Sequence, residues 1–267
     1  MTTMRPEQPT PDYVPGHGLL ADKVVVVTAA AGAGIGAAVA RRALEESAAL
    51  VVISDTHERR LEESRVALAE EFGEERVRAI TVDVTDEAQV QALLDIADEH
   101  GGVDVMINNA GLGGTADVLE MADEDWSRVL DITLTGTFRC VRAAGNRMRA
   151  SGKRGVIVNN ASVIGWRAQE GQAHYAAAKA GVMALTRCAA LDIAPYGIRV
   201  NAVSPSLAMH PFLAKVTSDE LLAELKQREA FGRAAEPWEV ANVMVFLASD
   251  YSSYLTGEVI SVSSQRA

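Results

Sequence analysis

Residues 24–36 read Val24-Val-Val-Val-Thr-Ala-Ala-Ala-Gly-Ala-Gly-Ile-Gly36 and lead directly into an alanine-rich segment. The four valines predict a buried strand, and the periodic segment after Gly36 predicts a helix. Glycines at a strand-to-helix turn let the backbone approach a pyrophosphate, whose charge the helix N-terminus stabilises. A glycine cluster alone is weak evidence, so its context along the chain decides the interpretation.

Six further aliphatic runs alternate with longer amphipathic segments. They lie at 51–53, 79–82, 103–107, 156–158, 198–200 and 259–262. Aliphatic strands that alternate with helices are typical of a parallel sheet covered on both faces. The sequence therefore predicts one α/β domain, a doubly wound Rossmann-type fold with a seven-stranded parallel sheet and helices on both faces.

Composition limits the classes of function. The chain has 267 residues, of which 48% are hydrophobic and 5% aromatic, which suits one sizeable domain with an aliphatic core. A net charge of -11 argues against non-specific nucleic-acid binding. No Cys/His spacing suggests a metal site, no run reaches the roughly 18 apolar residues of a membrane span, and the N-terminus does not resemble a signal peptide. We expect a cytoplasmic protein with no metal, membrane or nucleic-acid partner.

One segment lies outside this alternation of strands and helices, and two helical patterns stand out within it. Residues 1–18 contain four prolines among polar neighbours and predict a flexible or loosely docked arm, which leaves 19–267 as the domain. Two long helical patterns, at about 123–150 and 172–195, are candidates for a subunit interface because the second is rich in small residues that permit close helix approach.

The second strand is predicted to end at Asp55, nineteen residues beyond Gly36. A carboxylate there can accept hydrogen bonds from an adenosine ribose diol and would repel a 2'-phosphate. This favours NAD(H). Arg59 and Arg60 lie close enough in sequence to leave NADP(H) open, although cations in this place are more often a solvated first helical turn.

A second motif, Tyr175-Ala-Ala-Ala-Lys179, follows Ser162 by thirteen residues. Positions i and i+4 of a helix share one face, so the ammonium can sit beside the phenol and favour the phenolate. Tyrosine normally titrates near pKa ~10, and a nearby cation is one way to lower that pKa toward neutrality. A serine hydroxyl could then hold a substrate oxygen. The motif predicts acid/base catalysis, whereas an exposed helix can carry the same pair without any function.

Two strand ends complete the pattern. Asp83-Val84 follows the third strand, where it can contact adenine, and Asn108-Asn-Ala-Gly111 ends the fourth in a tight polar turn. Together with the glycine turn, Asp55 and the Ser162/Tyr175/Lys179 set, this order of motifs resembles the short-chain dehydrogenase/reductase family over residues 19–264.

The resemblance implies hydride transfer between nicotinamide C4 and a secondary alcohol or ketone of a small-molecule substrate. Tyr175 would be the acid/base, Lys179 would lower its pKa and bind the nicotinamide ribose, Ser162 would orient the substrate oxygen, and Thr133 would occupy the fourth catalytic position. It also implies a substrate lid at about 206–231 and a homotetramer. The implied cofactor-binding residues are Thr28, Gly32, Gly34, Ile35, Gly36, Asp55, Asp83, Val84, Asn109, Ala110, Gly111, Tyr175, Lys179, Pro205 and Leu207.

The chain departs from the family pattern in four places. Thr28 is followed by Ala29 instead of glycine, with one additional residue before Gly34, and we expect Gly32 to supply the missing backbone freedom. Thr133 stands where the family has Asn. The usual Pro-Gly after the sixth strand is Pro205-Ser206, followed by His210 as a loop residue or a substrate contact. The last strand runs into Ser263-Ser264-Gln265 instead of an Asp-Gly-Gly-like turn.

With these departures, the chain resembles a side branch of the family, the actinobacterial members associated with sterol ring breakdown. Such substrates are bulky fused-ring hydroxy or keto acids, sometimes carried as coenzyme A thioesters, and would need a mostly apolar pocket. A cluster of cations could receive an acidic carrier or a coenzyme A phosphate, or could simply be a solvated helix end. The cluster comprises Arg139, Arg142, Arg147, Arg149, Lys153 and Arg154.

Two other functions stay open. One is an NADPH-dependent 3-oxoacyl thioester reductase, which would need cations near Asp55 to accept a 2'-phosphate. The other is a cofactor-sensing protein that keeps the fold without catalysis. The presence of Ser162, Tyr175 and Lys179 together argues against the second.

Overall fold

The computed structural model describes residues 7–209 and 219–264. Its sheet has seven parallel strands in the order β3-β2-β1-β4-β5-β6-β7, which confirms the predicted fold class. The strands are β1 Val24–Val27, β2 Leu50–Asp55, β3 Val77–Thr81, β4 Val105–Asn108, β5 Val156–Asn160, β6 Arg199–Pro205 and β7 Val259–Val262.

Helices cover both faces of this sheet. In the described ranges they are α1 Ile35–Glu45, α2 Glu58–Phe72, α3 Glu87–Asp98, α4 Asp123–Leu130, α5 Gly136–Ser151, α6 Ala173–Ile193, α7 Asp219–Arg228 and α8 Pro237–Ala248. A π-helical turn, Asp131–Thr135, joins α4 to α5 and interrupts the single long helix that the sequence predicted. None of the helices in the described ranges has both the length and the apolar character needed to cross a membrane.

The strand β1 shows why the valine run is continuous. Val25 and Val27 belong to one buried cluster, which includes residues of α1 and α8. Val24 and Val26 belong to the other, which includes residues of α3, α5 and α6. Because alternate side chains of a strand point to opposite faces, a strand covered on both sides must be apolar at every position.

The strand order places a crevice between β1 and β4. From β1 the connections run outward to β2 and β3, and after β3 the chain returns to β4 beside β1. Ligands of open α/β sheets bind outside the carboxyl ends of the strands at such a reversal. The glycine turn after β1 and the Asn108–Gly111 turn after β4 therefore flank one site.

Residues of the N-terminal arm contact α1 and α8. Tyr13 packs edge-on against Trp238, with 5.2 Å between ring centroids. The carboxylate of the fully buried Glu46 accepts hydrogen bonds from the main-chain N–H groups of His17 and Leu19, at 2.7 and 2.9 Å, and pairs with Arg42 at 2.6 Å. The main-chain N–H of Gln8 donates to the carbonyl of Phe231 at 2.9 Å, so the arm also reaches the end of the predicted lid.

Candidate active site

Thr28 links the two turns that flank the crevice. Its buried hydroxyl oxygen accepts hydrogen bonds from the main-chain N–H groups of Asn109 and Ala110, both at 3.0 Å. The side-chain amide of Asn109 donates in return to the carbonyls of Thr28 and Ala29, at 3.2 and 3.0 Å. These bonds hold the turn after β1 against the turn after β4, so both walls of the crevice are built by the predicted residues.

The glycine turn leaves room and donors for an anion. A Cβ built on Gly32 or Gly34 would meet nothing within 4 Å, so the backbone there is open. The first turn of α1 begins with Ile35 and Gly36 and has no side-chain cap at Gly34, so its N–H groups are not taken by a cap from the described residues. These features fit the pyrophosphate of a dinucleotide.

Two residues of the turn adopt left-handed backbone conformations. Gly32 has φ +89°, as expected for a residue that supplies backbone freedom, but Ala29 also has φ +51°. The missing glycine is therefore not simply displaced to Gly32. Ala29 itself bears a conformation that costs an L-residue free energy.

Asp55 ends β2 and faces the glycine turn. Its Oδ2 accepts a hydrogen bond from the main-chain N–H of Ala31 at 3.2 Å, and its Oδ1 accepts one from His57 at 3.0 Å. Each oxygen keeps acceptor capacity for a ribose hydroxyl. Burial raises the pKa of Asp55, while the N–H of Ala31 and the positive charge of Arg60 oppose the rise. Arg59 instead pairs with Glu63 at 2.7 Å on the surface.

Asp83 and Val84 lie after β3, at the same edge of the sheet. One carboxylate oxygen of Asp83 accepts hydrogen bonds from the main-chain N–H and the hydroxyl of Thr85, at 2.9 and 2.7 Å. Val84 is buried, and a Cβ on Gly136 would come within 2.6 Å of its Cγ2. Val84 therefore packs tightly on the start of α5, while the second oxygen of Asp83 has no partner among these bonds.

Ser162, Tyr175 and Lys179 come together at the end of β5 and the start of α6. The hydroxyl of Ser162 lies near enough to that of Tyr175 to lower its pKa, and the Oγ of Ser162 accepts the N–H of Ile164 at 3.2 Å. The Nζ of Lys179 lies 5.6 Å from the centroid of the Tyr175 ring. The pair thus shares one helix face, as the spacing predicts.

Burial dominates the proton affinities of this pair. It raises the pKa of Tyr175, and the hydrogen bond with Ser162 opposes the rise. The same burial lowers the pKa of Lys179 to about 8. The net direction for Tyr175 is therefore opposite to the lowering expected from a neighbouring ammonium. The physical reason is that Lys179 is buried and Tyr175 half-buried, and removal from water favours the neutral form of each.

The ammonium of Lys179 is directed at the backbone of β5. Its Nζ donates to the carbonyl of Asn160 at 2.6 Å, and the side-chain amide of Asn160 donates to Oδ1 of Asn109 at 2.9 Å. A Cβ on Gly111 would lie 3.4 Å from the same Nζ. Sequence reasoning missed Asn160, whose role depends on the neighbouring strand and not on a motif.

Thr133 lies in the π-helical turn and is fully buried. Its hydroxyl donates to the carbonyl of Leu112 at 3.2 Å and accepts from the N–H of Leu112 at 2.9 Å. π-Helical turns often occur at functional sites. The single hydroxyl proton is already used, so the side chain holds the loop after Gly111 and has no proton left to pass on.

The two serine-for-glycine departures meet at one buried carboxylate. Glu229 accepts hydrogen bonds from the hydroxyls of Ser206 and Ser264, at 3.0 and 3.1 Å. Pro205 is buried at the end of β6, and the carbonyl of Leu207 accepts the N–H of Ala235 at 2.8 Å. The start and end of the predicted lid are thus anchored to the sheet, whereas His210 lies outside the described residues.

The C-terminal part of the basic cluster lies away from the crevice. α5 ends at Ser151 and β5 begins at Val156, so the residues from Arg147 to Arg154 lie at the amino edge of the sheet, opposite the carboxyl ends of the strands. Four of the six cations have carboxylate partners: Arg139 with Asp131, Arg142 with Glu87, Arg147 with Asp95 and Asp98, and Lys153 with Asp104. The cluster does not support the coenzyme A phosphate contact raised from the sequence.

His174 is a further residue of this region that sequence reasoning missed. It is 2% exposed and immediately precedes Tyr175 on α6. A histidine beside the candidate acid/base tyrosine carries no motif of its own, and only its packing against a distant loop reveals it. In the described ranges, no group of three or more His, Cys, Asp or Glu side chains is arranged to hold a metal ion.

Comparisons with known proteins agree with this geometry. A family model described as "Enoyl-(Acyl carrier protein) reductase" matches residues 29–264. A relative from Mycobacterium tuberculosis is 62% identical over 256 residues, which cover 96% of this chain and 97% of the relative; it is named "(5R,7aS)-5-hydroxy-7a-methyl-1-oxo-2,3,5,6,7,7a-hexahydro-1H-indene-carboxyl-CoA reductase".

Two other matches bear on the chemistry and the fold. The cis-4-hydroxycyclohexanecarboxylate dehydrogenase of Sinomonas cyclohexanicum is 43% identical, covering 91% of this chain and 95% of the relative. The crystal structure of a short chain dehydrogenase from Mycobacterium smegmatis is 56% identical with a TM-score of 0.85, covering 97% of this chain and 99% of that one. These matches confirm the resemblance that the sequence motifs indicated.

Proposed function

Since the chain belongs to the short-chain dehydrogenase/reductase family and is an oxidoreductase, we propose that it interconverts a ring-bound secondary alcohol and its ketone with NAD(H). The observation that carries this proposal is the convergence of Ser162, Tyr175 and Lys179 beside the crevice between β1 and β4. A fold retained only for cofactor sensing would not need the Ser162 hydroxyl to lie close to that of Tyr175.

The dinucleotide would lie across the crevice. Its pyrophosphate fits the open glycine turn and the uncapped start of α1. Its adenosine ribose fits Asp55, whose oxygens keep acceptor capacity, and its nicotinamide ribose fits Lys179 near Gly111. The nicotinamide would supply or accept the hydride.

The chain's own residues would handle the proton and the substrate oxygen. Ser162 would hold that oxygen, and Tyr175 would donate a proton to it in reduction or remove one in oxidation. Burial keeps Tyr175 protonated at neutral pH, which suits reduction, where the hydroxyl must be the donor. Lys179, whose pKa is lowered to about 8, is the nearby group able to exchange a proton near neutral pH.

The preference for NAD(H) depends on Asp55. Its carboxylate would stand against a 2'-phosphate, and Arg59 is engaged with Glu63. Arg60 is the cation whose charge reaches Asp55, and it is the residue on which use of NADPH would depend. Whether the protein uses NADPH, as the rival thioester reductase would, therefore depends on the negative charge of Asp55 and the positive charge of Arg60.

We place the substrate among alicyclic or fused-ring keto and hydroxy acids, or their coenzyme A thioesters. Support comes from the two relatives named for ring substrates, one of them a carboxyl-CoA reductase. The test is NADH oxidation with 4-oxocyclohexanecarboxylate, its coenzyme A thioester and a bicyclic keto acid thioester, against a straight-chain 3-oxoacyl-CoA. Faster turnover of ring substrates supports the proposal; preference for the straight chain with NADPH would favour the rival reductase.

The assembly is proposed to be a cytoplasmic homotetramer. Large apolar side chains are exposed on α4, α5 and α6: Trp126 by 39%, Phe138 by 41% and Leu191 by 78%. Such positions are suited to contacts between copies. Light scattering at micromolar protein should give four times the 28.4 kDa chain mass; a clean monomer would contradict the assembly.

A further inference from the structure

The imidazole of His174 is buried at the start of α6 and makes no hydrogen bond with the residues that the structure describes. Its Nδ1 is fully shielded and has no partner there. A buried polar atom without a partner opposes folding and calls for an explanation in its surroundings. The surroundings of this ring are the loop that follows β4.

The loop from Gly111 to Ala116 lies over the start of α6. A Cβ built on Gly114 would come within 3.0 Å of Nε2 of His174, which is tighter than ordinary packing. A Cβ on Gly113 would stand 3.9 Å from Cδ2 and Cε2 of Tyr175. The two glycines therefore bring bare backbone against two successive side chains of α6, one of them the acid/base candidate.

Both ends of this loop are fixed. Leu112 is held by the hydroxyl of Thr133, with bonds of 2.9 and 3.2 Å. The N–H of Ala116 donates to the carbonyl of Gly171 at 2.9 Å, just before α6. Between these anchors the height of the loop depends on what lies beneath Gly114, and that is the ring of His174.

We infer that His174 is a positioning residue that sets how closely Gly113 and Gly114 lie over the ring of Tyr175. Its reach to Gly114 carries this role, and its Nδ1 does not. With a shorter side chain at position 174, the loop moves toward α6 or water enters beneath it. A Cβ on Gly114 moves the loop away from α6. In both cases Tyr175 loses its fixed place beside Ser162. The inference rests on the proposed reaction for its kinetic readout but not for its stability readout.

The test is a double-mutant cycle with Gly114→Ala, His174→Ala and the double variant. Gly114 has no left-handed φ, so alanine there is strained only by the imidazole. Each single change is expected to lower kcat about tenfold and to lower Tm. The double variant is expected to regain both relative to the product of the single effects, since His174→Ala makes room for the new Cβ. The Kd for NADH is expected to stay within twofold, because neither residue lines the glycine turn.

Two further variants separate reach from chemistry. His174→Gln places its amide near the position of Nε2 and is expected to restore kcat to within about threefold of the parent. His174→Asn is too short to reach Gly114 and is expected to behave like His174→Ala. Rescue by Asn but not by Gln would overturn the inference, as would single effects that multiply without coupling in Tm. If the parent enzyme shows no turnover, the proposed function is refuted. The coupling in Tm would still show whether His174 limits the approach of Gly114.

Discussion

The Nζ of Lys179 donates a 2.6 Å hydrogen bond to the main-chain carbonyl of Asn160. Because the side chain of Asn160 donates to Asn109, which in turn donates to the carbonyls of Thr28 and Ala29, one chain of hydrogen bonds joins the candidate catalytic lysine to the glycine turn. Among the predicted site residues, Lys179, Asn109 and Thr28 are therefore joined by one chain of hydrogen bonds.

Lys179→Met tests the burial of the ammonium. The folded pKa of Lys179, about 8, lies below its ordinary value, so the unfolded chain binds the proton more tightly. Stability of the parent relative to the variant should therefore rise with pH from about 8 to 10.4, by about 3 kcal/mol for the full shift. Urea unfolding at intervals from pH 7 to 10.5 measures this. A difference that does not change with pH would show that the lysine is not desolvated.

Asp55→Ala tests the ribose contact. Loss of the carboxylate is expected to weaken NADH binding by about tenfold or more, as two charge-assisted hydrogen bonds are lost, and to improve NADPH binding. Arg60→Ala is the matched change on the cation side and should leave NADH binding within about twofold. Nicotinamide fluorescence titrations give both constants. Stronger loss of NADPH than of NADH in Arg60→Ala would identify Arg60 as a phosphate contact.

Glu46→Gln tests the link between the arm and α1. Burial raises the pKa of Glu46, but the N–H groups of Leu19 and His17 and the charge of Arg42 outweigh it, so the pKa lies below the ordinary value. Its stabilising contribution is present above the unfolded pKa of about 4.3 and is lost as pH falls.

The expected cost of Glu46→Gln at pH 7 is about 1.5–3 kcal/mol, because the buried Arg42 loses its partner at 2.6 Å and keeps only the longer pair with Glu45, at 3.7 Å. Glu63→Gln, in the exposed pair with Arg59, is the control and should cost less than about 1 kcal/mol. Chemical denaturation measures both. Equal, small effects would mean that the arm does not depend on the buried pair.

Ala29→Gly tests the strain in the glycine turn. At its φ of +51° the Cβ of Ala29 costs about 1–2 kcal/mol, which glycine avoids. Glycine also raises the entropy of the unfolded chain, which opposes this gain in stability. The net expectation is a Tm raised by about 2 °C or less. Ala33→Gly, whose φ is not left-handed, should instead lower Tm. A loss of stability in Ala29→Gly equal to that in Ala33→Gly would refute the strain.

The features that could be predicted from the sequence depend on short-range patterns along the chain. The valine run, the glycine turn, Asp55 and the i,i+4 pair of Tyr175 and Lys179 each depend on residues near one another in the chain, and the structure places them as the strand and helix periods require. The direction of the Tyr175 pKa was not accessible, since burial depends on the whole fold.

The features that the sequence did not predict depend on contacts between residues far apart in the chain. The hydrogen bonds to Glu229 account for the serines at both Ser206 and Ser264, yet no local sequence pattern relates the three residues. The carboxylates that neutralise Arg142 and Arg147 lie 49–55 residues earlier, on α3. The contact of His174 with Gly114 likewise joins a helix to a loop some sixty residues away, which only the assembled sheet brings together.

The most direct test of the central claim is turnover by Tyr175→Phe. With NADH and a ring ketone, we expect kcat to fall at least about a thousandfold while the Kd for NADH stays within threefold, because only the acid/base hydroxyl is removed. Tyr254→Phe, at a fully exposed tyrosine, is the control and should match the parent. Retained turnover in Tyr175→Phe would contradict the assignment of Tyr175 as the acid/base and the mechanism built on it.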